Sequence, residues 1–283
     1  MAGPTARHLV LDLLSTLPRG AMPVRALVAA GDLFGISENS VRVTLARLLA
    51  DRLIARDDRG AYRLGPGAQA VSRQVASWRD LGARMRPWDG GWLAVHTAGA
   101  GRANRTQLRR RTRALSWLGF RELRPGLVVR PDNLAGGVDA VRTQLRALGL
   151  EPDALVFVVA GLDEATDERA RRLWPVTRMV AGQRSARLAL ERSERRLPAL
   201  PEARAMVESF ELGGNAIRQL ALEPVLPDAL LPGRERELLL ETMLRYDRAG
   251  RACWSRFLGG FGVGGRTGTA ADTRQTVAAG GKT

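Results

Sequence analysis

The sequence holds a single cysteine, Cys253, so no internal disulfide can form, and a reducing cytoplasm fits that usage. Histidine is almost as scarce. His8 and His96 are the only two, and no Cys/His cluster has metal-ligand spacing, which excludes a zinc finger. The same scarcity leaves no Ser/His/Asp or Cys/His arrangement for nucleophilic catalysis. Long apolar runs are missing too. The longest, "ALVFVVAGL" from Ala154, has the length of a buried strand and falls far short of a membrane span. The short apolar stretch at the N-terminus is broken by Asp12 and lacks a small-residue cleavage site, so it does not read as a signal peptide.

Lysine is reduced to Lys282, and arginine carries the rest of the 44 basic residues, against 29 acidic ones. The net charge is +15 and the pI is near 11.5. A GC-rich genome would explain arginine in place of lysine, but not bases in excess of acids. A surplus of this size attracts polyanions, so nucleic acid or an acidic small molecule is the expected partner. With 283 residues, 45% of them hydrophobic, the chain is long enough for two or three folded domains.

Residues 6–65 form one unit. "ARHLVLDLLSTL" puts Leu9, Leu13, Leu14 and Leu17 on one helical face, closed by Pro18 and Gly20. "VRALVAAGDLFG" is a second helix ending at Gly35, and Ser37 caps a third with Val41, Leu45, Leu48 and Leu49 as its apolar stripe. "RLIAR" and "AYRLG" around "DDRG" signal a β-hairpin. Three helices followed by a hairpin is the order of a winged helix-turn-helix. A polar helical connector follows. From Gly91 to about Leu162, "GWLAVHT", "NRTQLRRRTRALSWLG", "FRELRPGLVVRP", "GGVDAVRTQLRALG" and "ALVFVVAGL" alternate strand and helix, which predicts a ferredoxin-like α/β unit. Beyond Asp163 the pattern is helical with Pro-rich joints, and the Gly/Thr-rich end from Gly259 predicts disorder. The expected class is α+β. Its divisions are a winged helix over residues 1–68, a helical linker over 69–90 and a ferredoxin-like domain over 91–165. A C-terminal helical domain over 166–258 and a disordered tail over 259–283 complete it.

In the third helix the 100° spacing gathers the leucines on one side and turns Asn39, Val43 and Arg47 away, with Ser40, Arg42 and Thr44 on the flanks. Arg42 and Arg47 have the bidentate donors for a guanine edge, Asn39 suits an adenine or a phosphate, and Val43 suits a thymine methyl. Ser37 and the helix N-terminus suit a phosphate oxygen. Glu38 is awkward beside phosphates and suits either the helix dipole or a cytosine amino group. Arg59 at the hairpin tip and Arg63 on its return fit a wing that touches the minor groove or adjacent phosphates. A solvated helix face is the alternative for the isolated helix.

Longer stretches carry a resemblance. "FGISENSVRVTLARLLADRLIARDDRGAYRLG", "RMRPWDGGW", "LSWLGFRELRPGLVVRPDN" and "LPDALLPGRERELLLETMLRYDRA" resemble, in this order, the PaaX-like repressors of phenylacetate and related aromatic catabolism. The resemblance spans about residues 6–258. It implies a homodimeric repressor with a winged helix, a ferredoxin-like middle and a helical end, released from a DNA operator by an effector. The family prototype responds to phenylacetyl-coenzyme A, so an aryl-CoA thioester is the implied effector class. The DNA-reading helix falls on residues 37–50, with Arg42 where related winged helices place a DNA-contacting arginine, and the wing on residues 56–64. The chain departs from the family in "GGNAIRQLAL", which has Asn215 and Arg218 but no His-Glu pair, and at Pro232, which leads directly into Gly233 and Arg234.

The middle domain also resembles the fold of the CRISPR spacer-acquisition nucleases, which hold a divalent metal with an aspartate at the end of the first strand. Here "GWLAVHT" runs into "AGAG" with no acid from Leu93 to Gly101, so no metal-dependent nuclease is expected. His96 reads as a strand-end residue, and "GAGRAN" lacks the spacing of a dinucleotide loop. The expectation is therefore a cytoplasmic regulator that is not an enzyme and needs no cofactor or metal, with RNA binding or protein interaction through a basic face as the alternative. Arg102, Arg105, Arg109 and Arg113 recur at helical spacing, opposite Leu108, Leu115 and Leu118. They form a solvated basic face, an effector site for thioester phosphates, or a contact with DNA flanking the operator. Trp88, Trp92, Trp117 and Trp174 are expected in core packing, with an aromatic pocket as the alternative.

Overall fold

The computed structural model describes residues 3–15, 21–57, 59–97 and 105–263. The first unit runs α1 (Ala6–Ser15), β1 (Met22–Pro23), α2 (Val24–Leu33), α3 (Glu38–Ala50), β2 (Ile54–Arg56) and β3 (Ala61–Leu64). The hairpin read from the sequence gains a third strand, because Met22 pairs with Tyr62 to give the antiparallel order β1-β3-β2. Leu9, Leu13 and Leu14 of α1 meet Ala26, Leu27 and Ala30 of α2 and Val41, Leu45 and Leu48 of α3 in a buried core closed by Ile54 and Tyr62. Leu17 lies outside the described residues.

The stretch expected to be a polar connector is partly core instead. It folds as α4 (Pro66–Ala76) and two 3-10 turns at Ser77–Asp80 and Gly82–Arg84, in which Trp78 and Leu81 are buried. Both belong to the apolar cluster shared by the middle and C-terminal parts.

The middle part has the order β4 (Trp92–His96), α5 (Arg105–Trp117), β5 (Arg121–Arg124), β6 (Leu127–Pro131), α6 (Gly137–Leu148) and β7 (Leu155–Val159). Its four strands lie in the order β5-β6-β4-β7 with every neighbouring pair antiparallel, and "FRELRPGLVVRP" folds as the β5–β6 hairpin. This is the β-α-β-β-α-β succession of a ferredoxin-like unit. The period of two sorts β4 cleanly. Leu93 and Val95 share a core with Ala114, Leu115, Val141 and Leu145 from α5 and α6, while Trp92 and Ala94 pack with Trp174, Leu226 and Leu231 on the other face. One expectation fails here. "ALVFVVAGL" is not a buried strand, because β7 lies at the sheet edge with Leu155 62% exposed and Phe157 and Val158 also open to solvent. Apolar content gives strand character, but only the strand order decides which strand is central.

The C-terminal part contains α7 (Glu164–Arg171), α8 (Val176–Arg196), α9 (Glu202–Ala221) and α10 (Arg234–Gly260), with Pro175 separating the first two. α8, α9 and α10 pack on one another. Residues 222–226, between α9 and α10, are fastened to the middle sheet by a buried polar chain. Arg130, 1% exposed, donates to the Leu118 carbonyl, to Pro131 O at 3.1 Å and to Asn133 Oδ1 at 2.8 Å. Asn133 Nδ2 passes the link on to Val225 O at 2.8 Å. Val225 sits at φ 53, a left-handed conformation that a β-branched residue adopts only where its surroundings hold it. Burial, with Arg84 nearby, pushes the Arg130 guanidinium down to about 9.

α10 continues through Gly260, past the Gly259 boundary expected for a disordered tail, and Val263 is buried in the N-terminal core. The apolar face of α10 keeps its helical spacing through Trp254, Phe257 and Phe261, and that face finds a partner in the first unit. Residues 264–283 lie outside the described residues.

Candidate nucleic-acid interface

Local chemistry fixes both ends of α3. Ser37 Oγ accepts from the Ser40 N–H at 3.3 Å and lies 2.9 Å from Ser40 Oγ, and Glu38 stands in the first turn. At the other end Leu53 N donates to Leu48 O and Arg52 N to Leu49 O, with Arg52 at φ 56, the left-handed termination that sends the chain into β2. Two glycines set the angle between α2 and α3. Gly35, at φ 68, makes the turn, and at Gly31 a Cβ would stand 2.8 Å from Val41 Cγ2, so the crossing needs a residue without a side chain.

The side of α3 away from this crossing is open. Ser37, Asn39, Ser40, Arg42, Val43 and Arg47 are exposed, Val43 at 40%, while Thr44 is half-buried on the flank. Val41, Leu45 and Leu48 are sealed in the core, and Leu49 is half-buried against it. Arg42 is not loose. Its Nε donates to Glu38 Oε1 at 2.7 Å, one helical turn back. Arg47, Arg59 and Arg63 form no ion pair among the described residues. In the hairpin, Asp57 Oδ1 accepts from Arg59 N at 3.1 Å and Ala61 N at 2.8 Å, which fixes the tip and leaves the Arg59 side chain exposed. Arg63, paired across the hairpin with Ala55, is exposed too. Arg56, which no groove-reading pattern singled out, lies with its guanidinium 5.9 Å from the Tyr62 ring centre.

The support behind this surface was not foreseen. Phe34, in the α2–α3 turn, meets Phe210 of α9 edge-on at 5.1 Å, and Phe210 meets Trp254 of α10 at 6.0 Å. The series continues through Phe257 and Phe261, and Arg25 of α2 donates to Phe261 O at 3.4 Å. Arg218 of α9, held by Asn215 at 2.6 Å, reaches Asp12 of α1 at 3.5 Å, where burial pushes the Asp12 carboxyl above its ordinary range. The i, i+3, i+7 spacing of Trp254, Phe257 and Phe261 marks an apolar face on α10, but nothing in the sequence says which surface it covers.

On α5, Arg105, Arg109 and Arg113 are all exposed, whereas Arg102 lies outside the described residues. Leu115 and Leu118 are buried as expected from the helical spacing. Leu108 is not, being 51% exposed, because the helix rests on the sheet through Arg111, Ala114 and Leu115 instead. Three of the four singled-out tryptophans pack on each other rather than around a pocket. Trp92 stacks on Trp174 at 6.2 Å and meets Trp88 edge-on at 5.5 Å. Their indole N–H groups donate to Asp167 Oδ1, Gly119 O and Gly91 O. Trp117 is half-buried outside this stack.

Among the described residues no group of three or more His, Cys, Asp or Glu could hold a metal ion, and no helix is long and apolar enough to cross a membrane. His96 ends β4 exposed, opposite Leu127 and Leu155. The "GAGRAN" loop lies outside the described residues.

Residues 85–171 match the family model of the PaaX protein central Cas2-like domain. A solved structure of the uncharacterized protein Rv0674 from Mycobacterium tuberculosis is similar with a TM-score of 0.53 and 24% identity, over 88% of this chain and 98% of that one. That likeness is one of fold. No curated protein matches the chain.

Proposed function

Because this chain carries the PaaX-type central domain, we propose that it is a transcriptional regulator that binds duplex DNA. Residues 1–68 act as a winged helix-turn-helix, with α3 in the major groove and the β2–β3 hairpin as the wing. The observation that carries this is the division of α3. One side is sealed into a core by Val41, Leu45 and Leu48, and the other presents Asn39, Arg42, Val43 and Arg47 to solvent. Arg42 and Arg47 are the base-reading candidates, Asn39 and Val43 add an amide and a methyl contact, and Ser37, Ser40 and Thr44 lie toward the backbone. Arg59 and Arg63 supply the wing.

In this proposal the regulator works as a homodimeric cytoplasmic repressor on a pseudo-palindromic operator, with half-sites about one helical turn or a multiple apart. An aromatic or acyl-thioester effector releases it. Release requires that the effector prefer a conformation in which the paired wings no longer fit the half-site spacing, since only differential affinity shifts such an equilibrium. The packing of α9 and α10 against α1 and α2 supports this, because it makes the position of α3 depend on the C-terminal helices.

The test is a mobility shift on DNA from upstream of the protein's own gene neighbourhood. Arg42→Ala and Arg47→Ala should each weaken binding to the selected site by about 1–3 kcal/mol while changing binding to random duplex less. Equal losses on both would mean phosphate contact alone. Preference for structured RNA over duplex DNA in competition would overturn the proposal.

A further inference from the structure

Four guanidinium groups crowd the outer side of α5. Arg105, Arg109 and Arg113 recur every fourth residue, Arg110 lies beside them, and the helix has no acidic residue of its own. At 1.5 Å rise per residue the row of three is about 12 Å long. Several exposed arginines elsewhere have an acid close at hand, as Arg172 has Glu168, Arg196 has Glu208 and Arg251 has Asp247. On α5 only Arg111 is paired, and it turns inward as a fork onto Glu151 at 2.8–3.1 Å. Its four neighbours form no ion pair among the described residues. Like charges one turn apart destabilise a helix, so the free protein carries a repulsion that a bound anion would relieve.

Shape selects the anion. A small phosphorylated ligand needs a concave site that encloses most of its surface. The row on α5 lies on an open helix face, and the cleft of about 170 Å³ between α4 and α6, lined by Gln74, Ser77, Gln144 and Leu148 among others, contains no α5 residue. A duplex, by contrast, offers a line of phosphates to an open surface. We propose that α5 is a second DNA-contacting element, with Arg105, Arg109 and Arg113 on phosphates outside the stretch taken by α3 and the wing. This rests on the DNA-binding reading of α3.

The experiment compares a duplex of about two helical turns around the selected site with one extended by about two turns on each side. It uses the full chain, the triple variant Arg105→Gln/Arg109→Gln/Arg113→Gln, and Arg42→Ala as the α3 control. Wild type should bind the longer duplex more tightly and with the steeper salt dependence. The triple variant should lose that advantage, with the slope of log affinity against log salt reduced by up to about three, and should keep wild-type affinity for the short duplex. Its melting temperature checks that the fold is intact. If wild type binds both duplexes alike, or the triple variant matches wild type on both, the α5 proposal fails. If free coenzyme A binds only while the three arginines are intact and the longer duplex brings no gain, the row serves a nucleotide phosphate and the proposal is again wrong. Arg42→Ala without effect on selective binding to the short duplex would count against the α3 reading itself.

Discussion

Glu38 holds Arg42. The carboxylate at the start of α3 accepts from Arg42 Nε at 2.7 Å, so the arginine proposed to enter a groove is parked one turn back along its own helix. An exposed pair of this kind contributes only about 0.3–0.5 kcal/mol, weak enough for a DNA phosphate or a base edge to replace. The acid gives the helix a favourable N-terminus, keeps the arginine ordered, and places a negative charge where a phosphate would approach.

Glu38→Gln should therefore leave the melting temperature almost unchanged and tighten duplex binding at least about twofold, the factor corresponding to the lost pair. Fluorescence anisotropy at two salt concentrations measures this. Weaker binding by the variant would mean that Glu38 itself contacts the DNA.

Arg59→Ala at the tip of the β2–β3 hairpin, the proposed wing, should weaken binding to all duplex sequences about equally and lower the salt slope by about one, as expected for a single phosphate contact. A loss confined to one operator sequence would instead assign Arg59 to a base edge in the minor groove.

Trp254→Ala should cost about 3–5 kcal/mol, because the indole is buried among Phe210, Phe257 and the first unit's core and donates to Met206 O at 3.2 Å. Urea unfolding followed separately by operator binding and by circular dichroism is the measurement. If binding survives to the wild-type midpoint, the first unit holds together without α10.

Asn133→Ala should destabilise by about 2 kcal/mol or more, since it strips a partner from the buried Arg130 guanidinium and another from Val225 O. Asn133→Asp keeps the acceptor for Arg130 but not the donor for Val225, so chemical denaturation of both variants separates the two bonds.

Glu223 gives a pH dependence with a definite sign. Burial raises its carboxyl above the ordinary value, while Gln183 Nε2, donating at 2.9 Å, and the charges of Arg236 and Arg84 oppose that shift. Between the ordinary and the raised value the folded state binds more protons than the unfolded chain, so this group's contribution to stability falls as pH rises through that window. Glu223→Gln keeps the acceptor for Gln183 and should raise the melting temperature at pH 8 more than at pH 5. An equal change at both would show that burial does not perturb this carboxyl.

Much of the local structure was legible because it is set by neighbours along the chain. The cap at Ser37, the turn at Gly35 and the period of Val41, Leu45 and Leu48 fixed α3 and the side it turns to solvent. The alternation of strand and helix from Trp92 to Val159 fixed the order of elements in the middle part. The exposed arginines of α3, the β2–β3 hairpin and α5 were visible for the same reason, since a helical or pleated period decides which side chains share a face.

The remainder depends on residues far apart in sequence, whose meeting no local period encodes. Strand order put the apolar β7 at an edge, although its composition matches a central strand. Trp78 and Leu81 were drawn out of an expected connector into the core by helices more than a hundred residues away. Phe34, which ends an ordinary turn when read locally, is held by Phe210 and through it by Trp254. By itself the sequence determined which surfaces exist, because propensity and periodicity act over a few residues. Only the tertiary structure decided which of them are covered, because burial of apolar area rewards any partner of the right shape, and the path of the whole chain determines which one arrives.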